Sequence, residues 1–215
     1  MMSKQKEIIV LGMHRSGTSM ISGVLEKLNI DMGNKFSEKD AGNPLGYFED
    51  LEFNQLNKKI LKKAGSDHWT SPPTYKKVMK QKECFEEKIK RAINKRKNKD
   101  IWGWKDPRNS LTIELYLPYL NNPYFIVCYR SKKKVANSLL RRNCMDIDKA
   151  KQIKEIYDKR IDYFFKRYPN LNRLNVDYTN FIEQTCNNIK KIINFLQLDI
   201  DSESKEFKKA KNFVR

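Results

Sequence analysis

Residues 7–30 read EIIVLGMHRSGTSMISGVLEKLNI, a run compatible with few folds. EIIVLG is a β-branched apolar run without alternation, as expected of a strand buried on both faces of a parallel sheet. Met20, Ile21, Val24, Leu25 and Leu28 then recur at helical spacing, so residues 7–28 read as a strand, a glycine-bounded turn and a helix. A turn of this kind presents successive backbone N–H groups at a helix start, a concave positive site for a tetrahedral anion. Gly12 and Gly17 keep the spacing of a triphosphate-binding loop and Ser19 keeps its hydroxyl, but Thr18 stands where the lysine belongs. The loop is therefore poorly equipped for a triphosphate, and Arg15 is the cation it offers instead.

The same grammar repeats along the chain. DIWGWKDPR (100–108) reads as a second buried strand ending at Lys105, PYFIVCYR (123–130) as a third, and LNRLNVDY (171–178) as a fourth. Helical spacing marks Leu51 to Leu61, a lysine-rich surface helix within residues 70–99, a helix from Ser131, one over 147–168 and one over 181–196. Pro107 stops regular structure after the second strand. Alternating strands and helices predict one α/β domain over 1–215: a three-layer P-loop-type fold, its central parallel sheet flanked by helices and its ligands beyond the carboxyl ends of the strands.

With Lys+Arg at 44 and Asp+Glu at 26 the formal charge is +18, which favours an anionic partner; solvated lysine-rich faces account for the same excess. Cys84, Cys128, Cys144 and Cys186 lie far apart with only two histidines to join them, so reduced thiols and no metal site are expected. The first apolar run is too short for a signal-peptide core or a membrane span, which points to a cytoplasmic protein without a membrane span.

GMHRSGTSM, NPLGYFED, WGWKDPR, YRSKKKVANS and the late VDYTNF with IINFLQL together resemble the successive blocks of the sulfotransferases that use 3′-phosphoadenosine 5′-phosphosulfate, PAPS, over about residues 7–198. The resemblance, closest to the bacterial and tyrosylprotein branches, implies transfer of a sulfuryl group to a hydroxyl of a carbohydrate, phenol or peptide tyrosine. It places Arg15, Ser16, Gly17, Thr18 and Ser19 around the 5′-phosphosulfate, Arg130 and Ser138 at the 3′-phosphate, and Tyr178 beside the adenine. Lys105 would join Arg15 in stabilising the departing phosphate, and Glu49 would be the general base, with Asp50, His14 or His68 as alternatives. Lys211 or Arg215 would add to the 3′-phosphate site, although a frayed, solvated tail is the expectation there. Phe36, Tyr47, Phe48, Trp69 and Tyr75 are expected to shape a small-molecule or glycan acceptor pocket. Two alternatives stay open: a P-loop nucleoside or small-molecule kinase with Asp106 on magnesium, and a basic nucleic-acid-binding protein using the Lys76 to Lys99 face. The resemblance implies no dedicated nucleic-acid partner.

Overall fold

A computed structural model of the chain describes residues 5–33, 46–66 and 68–214. Four strands, β1 (Lys6–Leu11), β2 (Ile101–Lys105), β3 (Pro123–Tyr129) and β4 (Asn172–Asp177), form a sheet in the order β2-β1-β3-β4. Every pairing is parallel, with Val10 beside Lys105 and Leu11 beside Val127. The period of two along β1 and β3 divides the core. Ile9, Leu11, Phe125 and Val127 face one apolar layer, whereas Ile8, Val10, Tyr124 and Ile126 face the other.

Helices cover both faces. The first layer receives α2 (Leu51–Lys63), α3 (Tyr75–Met79), α4 (Lys82–Asn94), α5 (Asn109–Tyr116), α6 (Lys132–Asn143) and α7 (Ile147–Arg167), and a short 3-10 turn follows α5. The second receives α1 (Thr18–Lys27), α8 (Tyr178–Glu183), α9 (Thr185–Leu196) and α10 (Lys205–Phe213). This is the three-layer parallel architecture expected from the strand and helix alternation.

The elements depart from expectation in four places. The surface helix of residues 70–99 is two helices, because the chain turns at Lys80 and Gln81. The helix expected from Phe181 is likewise divided, by the non-helical backbone of Gln184. Regular structure resumes after Pro107 as α5, all of whose residues are buried. A helix buried on every side has no polar face, so it leaves no amphipathic period in the sequence. The tail is a docked helix: Phe207 and Ala210 of α10 are buried, and Phe213 packs edge-on against Phe48.

Connectivity fixes where a ligand goes. From β1 the chain crosses to β2 on one side and then returns past β1 to β3 on the other. The crevice beyond the carboxyl end of β1 is thus the switch point of the sheet, where open α/β folds bind ligands.

Candidate functional site

The loop after β1 occupies that crevice. Gly17, immediately before α1, has φ +95°, and a Cβ there would meet Tyr178 Cδ2 at 2.4 Å, so glycine is required both by the backbone and by the ring lying on it. Among the described residues no side chain caps α1. Its first amide groups are thus free to face an anion, reinforced by the positive end of the helix dipole.

Two strand ends supply the cations. Arg15, itself in the left-handed region at φ 69°, donates from Nε to Ser138 Oγ at 2.9 Å. Arg130 follows β3 and donates from Nη1 to the Arg15 carbonyl at 3.1 Å, while its guanidinium stacks 4.3 Å from the centre of the Tyr178 ring. The Arg130 Nε is buried and has no hydrogen-bond partner among the described residues. Burial first, then the cations of Arg142 and Arg130, lowers the pKa of the Arg15 guanidinium. Positive charge concentrated in this way is what a multiply charged anion relieves.

Arg15, Gly17, Thr18, Ser19, Arg130 and Tyr178 line one cavity, closed on its apolar side by Phe48, Ile182, Phe213 and Val214. Ser138 reaches it through Arg15. Ser16 does not line it: its side chain is wholly buried and its N–H donates to the Met13 carbonyl at 3.2 Å. Lys211 does not line it either, and Arg215 and Phe36 lie outside the described residues.

A second cavity opens on the other side of Arg15. It is lined by Arg15 itself, His14, Tyr47, Glu49, Asn54, Lys58, Trp69, Arg108, Leu139, Arg142 and Asn143. Glu49 accepts from Lys105 Nζ at 3.0 Å through Oε1 and from Asn54 Nδ2 at 2.7 Å through Oε2, and Arg108 Nη1 stands 4.0 Å away. Lys105, at the end of β2, is 1% exposed and lies behind Glu49 instead of on a cavity wall. Of the alternative bases, Asp50 and His68 are engaged by other groups, whereas His14 lines this cavity and its Nε2 has no hydrogen-bond partner among the described residues. Asp50 caps α2 and pairs with Arg96 at 2.6 Å, and His68 Nδ1 bonds Thr70 Oγ1 at 2.9 Å. His14 stacks on Trp69 at 4.3 Å, and burial first, then the charges of Arg108 and Lys105, pulls its pKa well below the ordinary range.

Several groups here were not anticipated from the sequence. Arg108 is held by Asp106, which accepts from Arg108 Nη1 at 2.9 Å and from Asn57 Nδ2 at 3.2 Å. Asn57 in turn ties α2 to α5, donating to Asn109 Oδ1 at 2.8 Å and accepting from Thr112 Oγ1 at 2.8 Å. Asp106 is thus built into a buried network, its pKa raised chiefly by desolvation, and is not exposed for a magnesium ion. Asn54, Lys58 and Arg142 complete the second cavity without a local motif to mark them. Tyr75, by contrast, packs against Tyr163 and Arg167, away from both cavities.

The fold thus assembles a glycine-bounded loop after β1, an arginine after β3 and two cavities that share Arg15. The family described as Sulfotransferase family matches residues 7–202, and the chain belongs to it. Comparison with curated proteins finds no match. Among solved structures, sulfotransferase STF9 from Mycobacterium avium is similar at 16% identity and TM-score 0.58, over 98% of this chain and 68% of that one. The sulfotransferase domain from the curacin biosynthetic pathway is similar at 13% identity and TM-score 0.61, over 95% and 77%. STF1 from Mycobacterium tuberculosis H37Rv is similar at 12% identity and TM-score 0.55, over 97% and 71%. At these identities the likeness concerns the fold. Membership of this family favours sulfuryl transfer over the kinase and nucleic-acid-binding alternatives. Among the described residues no helix is long and apolar enough to cross a membrane.

Proposed function

We propose that the protein transfers a sulfuryl group from PAPS to an acceptor hydroxyl. The observation that carries this reading is that Arg15 lines both cavities, so that an anion held by the loop in one meets an acceptor held in the other at a shared cation. The residues fit the donor. The uncapped start of α1 with Thr18 and Ser19 suits a 5′-phosphate, Arg130 with its unpartnered Nε suits a second, separate phosphate, and Tyr178 with the apolar wall suits a purine ring. When bound, the donor supplies a sulfuryl group activated by its bond to phosphate.

The chain's own groups divide the remaining work. Arg15 meets the negative charge that grows on the departing phosphate oxygen, and a cation acting where charge develops lowers the barrier instead of merely tightening the complex. In doing so it exchanges its bond to Ser138 for phosphate contacts, which frees the Ser138 hydroxyl for the second phosphate. Glu49 receives the proton of the acceptor hydroxyl; each of its oxygens keeps a lone pair beyond the one used by Lys105 or Asn54. Lys105 is a positioning residue in this scheme, fixing the carboxylate from behind. The test is transfer of radiolabelled sulfate from PAPS to hydroxyl acceptors, with neutral and acidic carbohydrates, phenols and tyrosine peptides in parallel. Label should appear on a hydroxyl acceptor with wild-type protein and not with Glu49→Gln. Failure to bind PAPS or its product while ATP binds well would overturn the proposal.

A further inference from the structure

The acceptor side of the site has a chemical character of its own. Beside the second cavity lies a third, lined by Lys58, Leu61, Lys62, Ser66, His68, Trp69 and Arg108. Lys58, Trp69 and Arg108 belong to both, so the two cavities form one trough running outward from Glu49. With volumes of about 300 and 380 Å³, the trough holds more than a single small alcohol.

Its walls are cationic. Among the described residues Arg15, Lys58, Lys62, Arg108 and Arg142 line it, and the one carboxylate among these described lining residues, Glu49, is already bonded to Lys105. Lys58 and Lys62 lie one turn apart on α2, a like-charge spacing that repels. Neither has an ion pair to a described carboxylate. Arg108 is oriented by Asp106, so its guanidinium is fixed where both cavities meet. Apolar surface lies between these cations, from Tyr47, Leu61, Leu139 and the half-buried Trp69. Trp69 stands among the cations, and an aromatic face carries negative partial charge that suits the C–H face of a sugar ring.

We propose that the acceptor is an acidic carbohydrate, with its anionic group held by Lys58, Lys62 and Arg108 and a neighbouring ring against Trp69. This inference rests on the sulfuryl-transfer reading of the same site. A carboxylate and a sulfate ester satisfy the same cations, and the experiment separates them. Equilibrium binding of a glucuronate-containing disaccharide, its carboxyl methyl ester, the corresponding sulfate ester and an acidic tyrosine peptide is measured with adenosine 3′,5′-bisphosphate present. KM and kcat for sulfuryl transfer are measured in parallel.

At least one acidic sugar should bind roughly tenfold or more tightly than the methyl ester, with an advantage that shrinks as ionic strength rises. Whichever acidic sugar binds better identifies the anion. In the Lys58→Gln, Lys62→Gln double variant the advantage should collapse to about one, chiefly through KM, while bisphosphate affinity stays unchanged. Both positions are exposed, so folding is preserved and is checked by melting temperature. Equal binding of acid and ester, a preference that survives the double variant, or tighter binding of the peptide than of either acidic sugar would overturn the inference. None of these results touches donor binding, whereas loss of bisphosphate binding in the wild type would defeat the sulfuryl-transfer reading itself.

Discussion

Replacing Glu49 by Gln should damage stability and turnover together, and a second substitution should separate the two effects. Glu49 and Lys105 are joined at 3.0 Å with side chains 9% and 1% exposed. Removing one charge leaves the other buried without its partner, which typically costs about 3–5 kcal/mol. The lower part of that range is expected, because Arg108 keeps Asp106 as a partner and the amide of Gln preserves a hydrogen bond to the lysine. For a chain of this size each kcal/mol shifts the midpoint by about 2–4 °C, so both Glu49→Gln and Lys105→Met should melt roughly 6–12 °C below wild type. The double variant has no unpaired charge and should recover most of the loss, giving a coupling energy of the sign and size expected of touching residues. Thermal denaturation of the four proteins measures this cycle, with calorimetric binding of adenosine 3′,5′-bisphosphate as a check on the intact loop. Turnover should follow a different pattern, falling about 10²–10⁴-fold in Glu49→Gln and remaining low in the double variant. Single variants within about 0.5 kcal/mol of wild type would refute the buried pair. Recovery of turnover along with stability would refute Glu49 as the base.

Gly17→Ala places a Cβ 2.4 Å from Tyr178 Cδ2 at φ +95°, so bisphosphate affinity should fall at least about tenfold, with a loss of roughly 1–3 kcal/mol in stability; unchanged calorimetric titrations would contradict the loop geometry. Phe207→Ala empties a site only 4% exposed and should cost about 3 kcal/mol in a denaturant titration, whereas a solvated tail would cost nothing measurable. His14 has a folded-state pKa depressed below the ordinary value of about 6.5, so its contribution to stability is intact above that value and is lost as pH falls from there through the folded pKa. The melting temperature should therefore drop between pH 7 and pH 5, and His14→Phe should flatten that slope; an identical slope in the variant would assign the dependence to other groups.

The parallel sheet was legible because β1 and β3 are uninterrupted apolar runs, which only a strand covered on both faces requires. The helices with one polar face, such as α7 and α9, were legible from their spacing for the same reason. What escaped was whatever lacked contrast: α5 is buried all round, and the docking of α10 depends on Phe207 and Ala210 meeting a surface that no local pattern announces. At the site, the loop carried its own signal in the spacing of Gly12, Gly17 and the helix after them. Outside that loop, the second cavity carried a signal only at Tyr47, Glu49 and Trp69, since Asn54 and Lys58 on α2, Arg108 and Arg142 are brought together only by the packing of α2, α5 and α6. Lys105 was found for its position at a strand end, yet its orientation behind Glu49 depends on where residues 46–50 cross the sheet.

The proposed function requires this loop to serve a nucleotide with two separated phosphates instead of a triphosphate. Calorimetry with adenosine 3′,5′-bisphosphate, adenosine 5′-monophosphate and ATP, on wild type and Arg130→Ala, tests it most directly. A charge-assisted contact contributes about 1.5–3 kcal/mol, so the bisphosphate should bind the wild type roughly 10- to 150-fold more tightly than the monophosphate, and Arg130→Ala should abolish that difference. ATP binding as tightly as the bisphosphate, or a 3′-phosphate preference that persists without Arg130, would contradict it.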